Sequence, residues 1–146
     1  MMNARKFILA YTLVLFAVVS TGASEERPAD DAKFVKQSVP KTMVAGKGYE
    51  VSITMKNTGT APWTGLKRLG SQSPEDNKMW GMARVDLSPG DNIKPSETKT
   101  FKFNVQAPPE AGTHDFQWQM VVEGVKWFGE MSPNVKVKVS AVGSRK

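Results

Sequence analysis

From Phe34 onward the apolar residues recur at every second position, and no stretch repeats at the helical period. Tyr49, Val51, Ile53 and Met55 alternate with Glu50, Ser52, Thr54 and Lys56. Phe101, Phe103 and Val105 alternate with Thr100, Lys102 and Asn104, and Phe116, Trp118 and Met120 with Asp115, Gln117 and Gln119. Val135, Val137 and Val139 close the series. Successive strand side chains point to opposite faces, so each run builds one apolar and one polar face. An apolar sheet face needs a second sheet to cover it. Shorter strands are expected over 34–39, 66–70, 84–87 and 126–128, with turns at 45–48, 57–60, 88–90 and at Glu123 and Gly124. Residues 71–78 read as a polar loop. About seven antiparallel strands with this patterning predict an all-β fold, an immunoglobulin-like or fibronectin-III-like β-sandwich spanning 34–140.

The N-terminus has a different character. Arg5 and Lys6 precede an apolar run over 7–19, and small residues follow at Ser20, Thr21, Gly22, Ala23 and Ser24. This is the order of a secretory signal peptide, and the run is shorter than the ~20 residues of a membrane span. Cleavage is expected after Ala23, with Gly22 or Ser24 as neighbouring choices, which makes the protein periplasmic or secreted. The alternative is an anchor formed by the uncleaved segment. Residues 24–33, rich in acids and poor in apolar side chains, read as a flexible mature N-terminus, and 141–146 as a tail.

The expected cleavage also changes the net charge. The full chain carries +6; losing Arg5 and Lys6, with no acid among residues 1–23, lowers it by two to +4. An exported chain meets no genomic DNA, so nucleic acid is not an expected partner. A mild positive charge favours anionic surfaces weakly in salt. The chain has no Cys and a single His, which removes disulfides, thiol chemistry and multi-His metal sites. No metal or cofactor is expected: Glu75, Asp76 and Asn77, with Asp86 or Asp91, lack the alternating pattern of a calcium loop. Nor is catalysis expected. His114 and the adjacent Asp115 point to opposite faces of a strand, and Glu123 and Glu130 read as turn and strand-end charges.

Several separated motifs occur in order: Asn57-Thr58-Gly59-Thr60-Ala61-Pro62-Trp63, Arg68-Leu69-Gly70-Ser71-Gln72-Ser73-Pro74-Glu75-Asp76-Asn77, Trp80-Gly81, Ala107-Pro108, Gly112-Thr113, and the run from Phe116-Gln117-Trp118 to Phe128-Gly129-Glu130. Together they resemble the four-tryptophan (FW) domain, the immunoglobulin-like central domain of the neighbour-of-BRCA-one autophagy receptors. The resemblance is closest to bacterial exported versions of that domain and runs from about Phe34 to Val139. Trp63 and Trp118 stand where two of the four tryptophans belong, Ile53 replaces the first, and Met131, Ser132 and Pro133 occupy the region of the last. Trp80 and Trp127 lie elsewhere. The resemblance implies a recognition or accessory module and maps no binding residue onto this chain.

Trp63, Trp118, Phe116, Phe101, Phe103 and Ile53 are the expected structural core. Trp80, Trp127 and Asn77 are the candidate ligand-binding residues. Trp80 follows a polar loop where an indole can stack on a sugar ring beside amide and acid side chains. Trp127 adjoins Phe128, and one of the two has to face away from the core. Three functional expectations result: a module that binds a protein partner, a carbohydrate-binding module using Trp80 or Trp127, and a structural or assembly element pairing through an edge strand.

Overall fold

The computed structural model describes residues 25–143, together with Val14, Leu15, Ala17 and Gly22. The signal peptide expected over 1–23, with its cleavage site, falls almost wholly outside the described residues, as does 144–146.

The described residues form nine strands and no helix: β1 (Ala32–Ser38), β2 (Thr42–Val44), β3 (Gly48–Asn57), β4 (Lys67–Gln72), β5 (Arg84–Val85), β6 (Thr98–Gln106), β7 (Gly112–Val122), β8 (Lys126–Phe128) and β9 (Val135–Ser140). They make a two-sheet sandwich. One sheet has the order β1-β3-β6; the other has the order β2-β9-β7-β4-β5, with β8 also on β7. Every pairing is antiparallel except β2 with β9. The separation of β1, β3 and β6 from β4, β7 and β9 is the strand partition of an immunoglobulin-like sandwich.

Period-two alternation decides which side chains meet between the sheets. Ile53, Phe101, Phe103, Phe116 and Trp118 are buried there with Met55, Leu69 and Met120. Phe103 of one sheet meets Trp118 of the other edge-on, with ring centroids 5.1 Å apart. Trp63 lies in the β3–β4 connection, fixed by two backbone hydrogen bonds with Ile93, and its ring packs on Phe128. Burying rings of this size contributes much of the core's apolar area.

Three segments differ from the sequence reading. β2 was not expected: three residues are too few to show a period, and the strand exists through its pairing with β9. Residues 71–78 are not all loop, because Ser71 and Gln72 continue β4 and both are buried. Their polar atoms are satisfied internally: Gln72 Nε2 donates to Gln119 Oε1 at 3.0 Å, and Ser71 Oγ donates to the Asn77 carbonyl. The third segment is the expected flexible N-terminus. From Pro28 it lies against the sandwich. Thr60 N donates to the Pro28 and Ala29 carbonyls, Ala61 N to Ala29, and Thr58 Oγ1 to Asp31. Lys67 and Lys126 both pair with Asp30. A Cβ at Gly59 would sit 2.2 Å from the Ala29 carbonyl oxygen, so a glycine is needed under this strap. The domain therefore begins at Pro28 rather than at Phe34.

Candidate functional site

The outer face of the six-stranded sheet carries a closed group of aromatic and charged side chains. In register, Arg84 faces Gly70, Gly70 faces Gln119, Arg68 faces Val121 and Val121 faces Trp127. Alternation therefore sends Phe128 into the core and Trp127 outward, where it is half-buried. The indole folds back over Gly70: a Cβ there would lie 2.5 Å from Cζ3 and 2.6 Å from Cη2. An aromatic ring thus fills the gap left by a strand glycine.

Charged groups hold the ring in place. Trp127 Nε1 donates to Glu75 Oε1 at 2.7 Å, and the Arg84 guanidinium lies 5.0 Å from the ring centroid. Arg84 is itself fixed by Asp76 at 2.6 Å, by Glu123 at 2.9 Å and by the Ala83 carbonyl. Burial works to lower the Arg84 pKa, but its hydrogen bonds with Asp76 and Glu123 outweigh burial and raise it. Arg68 extends the group to Asp86. The loop carrying Glu75 and Asp76 has left-handed backbone at Ser73 (φ 62°) and Asp76 (φ 62°), conformations that cost energy in residues with a Cβ. Beside Trp127 runs a shallow groove of about 340 Å³, lined also by Glu75, Asp76, Glu123 and Lys126.

The three candidate ligand-binding residues part company here. Trp80 is only 1% exposed and belongs to the core. Its Nε1 donates to the Asp115 carbonyl at 3.0 Å, and its ring meets Phe116 edge-on at 5.4 Å. The loop is drawn in because the Trp80 carbonyl accepts from Gln106 N at the end of β6. Trp80 therefore offers no ring face to a ligand, which corrects its reading as a stacking platform. Asn77 is buried too, and its Oδ1 closes the loop by accepting from Met79 N at 2.7 Å. Trp127 alone of the three reaches solvent.

The sequence reading placed the Glu123-Gly124 hairpin turn but did not single out Arg84, Gly70, Val125 or Leu66 as site residues. Val125, at the β7–β8 turn, is 72% exposed. Leu66 is 59% exposed at the same end of the sheet, its carbonyl accepting from Glu123 N at 2.9 Å. The sequence signal available was an apolar residue at a turn, Val125 next to Glu123-Gly124 and two residues before Trp127. The titratable residues considered for catalysis are dispersed. His114 Nε2 hydrogen-bonds the Glu110 carbonyl, and Asp115 is held below the usual carboxylate range by Lys136 and then Asn134. Glu123 holds the two arginines, while Glu130 accepts from Phe34 N. Among the described residues no three His, Cys, Asp or Glu side chains are grouped to hold a metal ion, and no helix is long and apolar enough to cross a membrane.

No protein-family model matches the chain, and no curated protein matches it.

Proposed function

We propose that this chain is an exported, non-catalytic immunoglobulin-like module of the four-tryptophan kind. It binds a protein partner through the end of the sandwich formed by the β7–β8 hairpin and the β3–β4 connection. The observation that carries this reading is the fixed Trp127–Arg84 pair sharing a groove with exposed Val125, with exposed Leu66 tied to the same turn through Glu123. Trp and Arg are enriched at the energetic centres of protein interfaces, and a side chain already locked in place loses little entropy on binding. Sugar stacking is less favoured. Trp80 is buried, and the Arg84 guanidinium occupies a face of the Trp127 ring. Edge pairing through β1 is less favoured as well, because β1 carries Lys33 and Lys36 and a bulge between Phe34 and Lys36.

The test is affinity capture from an envelope extract with the wild-type protein and with the Leu66→Asp/Val125→Asp double variant. Both positions are exposed, so the variant keeps its fold. The reading expects a protein species retained by the wild type and lost with the variant. Equal retention by both, or binding on a glycan array abolished by Trp127→Ala, would overturn it.

A further inference from the structure

The outer face of the three-stranded sheet gathers four lysines, one of them paired with an acid. Lys33 and Lys36 on β1, Lys56 on β3 and Lys102 on β6 are exposed there. Between them lie short hydroxyl side chains: Ser38, Ser52, Thr54 and Thr100, the last two hydrogen-bonded to each other at 2.8 Å. Among the described residues Glu50 is the one acid on these strands' outward positions, pairing with Lys102 at 3.3 Å, and Glu130 reaches the β1 edge at Phe34 N. Lys33, Lys36 and Lys56 have no carboxylate within 4.0 Å among the described residues.

One pairing runs against local stability. Lys33 stands directly opposite Lys56 in the β1–β3 register, with no acid between them. Like charges directly opposite in a strand pair repel. Edge protection accounts for lysines on β1 but not for Lys56, which lies on the central strand β3. The four lysines cover a patch about 13 Å along the strands and about 10 Å across. The face has no aromatic side chain on which a base or sugar would stack, and lysines act as point charges rather than as forks that select one anion.

We propose that this face docks on an anionic phospholipid bilayer. A plane of lipid phosphates meets all four ammonium groups at once, with no groove required, and binding of this kind is additive per lysine and sensitive to salt. The face is distinct from the hairpin end, so a protein partner and a bilayer can be held together.

The experiment is co-sedimentation with vesicles of phosphatidylglycerol and phosphatidylcholine in equal parts, against phosphatidylcholine alone. The protein is used as the exporting cell releases it. We expect about tenfold or greater preference for the anionic vesicles at low salt, falling steeply by physiological ionic strength. The Lys33→Gln/Lys36→Gln/Lys56→Gln/Lys102→Gln variant should fall to the neutral-vesicle level. A variant with the same charge removed elsewhere, Lys41→Gln/Lys47→Gln/Lys94→Gln/Lys138→Gln, should retain the preference. Thermal melts establish that both variants are folded. Three results would overturn the proposal: no preference for anionic vesicles, equal loss in both variants, or tighter retention on soluble dextran sulfate than on the vesicles.

Discussion

Replacing Gly70 by alanine is a small change with a sign that depends on Trp127. In an isolated strand, Ala for Gly lowers the entropy lost on folding and stabilises by about 0.5–1 kcal/mol. Here the new methyl would lie 2.5 Å from Trp127 Cζ3, about 1 Å inside normal carbon contact. The ring cannot retreat freely, because Glu75 holds its N–H and Arg84 lies over its face. Overpacking of this kind costs about 1–3 kcal/mol. The stacking energy at a partly exposed site adds about 0.5–1 kcal/mol. The net expectation for Gly70→Ala is a loss of about 2 kcal/mol, near 8 °C in Tm for a domain of this size. In a Trp127→Ala background the ring clash is gone and the remaining close contact is the flexible end of Arg84, 3.1 Å away, so the same substitution should be neutral or stabilising by up to about 1 kcal/mol. Urea and thermal unfolding of the four proteins of this double-mutant cycle measure both values. Equal loss in the two backgrounds would refute the claim that Gly70 is there to seat the indole.

Other expectations follow from the same contacts. Trp80→Ala should cost about 3–5 kcal/mol in urea unfolding, as a core truncation does, whereas Trp127→Ala should cost less than half of that. Gly59→Ala should lose about 1–3 kcal/mol by driving the 28–31 strap from the 57–61 turn, read as new amide exchange at Thr60 and Ala61. The Asp30 carboxyl is held low by the hydrogen bond from Lys67, then by Lys126, against the opposing effect of burial. Its contribution is fully present above the ordinary carboxylate range and is lost as pH falls below about 4, so Asp30→Asn should flatten the acid limb of the stability–pH curve. Lys33→Glu should stabilise the domain by about 0.2–1 kcal/mol by pairing with Lys56, while weakening attachment to anionic vesicles.

The sandwich was legible because its long strands obey one rule. Wherever a run of five or more residues alternated, as over Tyr49 to Met55 or Phe101 to Val105, the structure has a strand with the apolar set inward. The same rule set Phe128 and Trp127 on opposite faces. It fails where position depends on a distant partner. Trp80 lies in a loop, and its burial follows from hydrogen bonds to Asp115 and Gln106, far along the chain. Gln72 and Gln119 are polar residues that no local pattern places inside, yet their amides satisfy each other across the β4–β7 pair. The strap over 28–31 has the composition of a loose terminus, and distant partners make it part of the domain: Lys67 and Lys126 closing on Asp30, and the 58–61 turn hydrogen-bonded to Pro28, Ala29 and Asp31. Arg84 gives no sequence signal of its place over Trp127, because a two-residue strand sets it there.

The four tryptophans divide by role: Trp63, Trp80 and Trp118 hold the sandwich together, and Trp127 is surface chemistry. Indole N–H exchange into deuterated water, followed by NMR on the labelled protein, tests that division directly. The prediction is three indole signals that persist on the timescale of global unfolding and one, from Trp127, that exchanges much faster through its exposed side. A Trp80 signal that disappears with Trp127, or a Trp127 signal as protected as the other three, would contradict it.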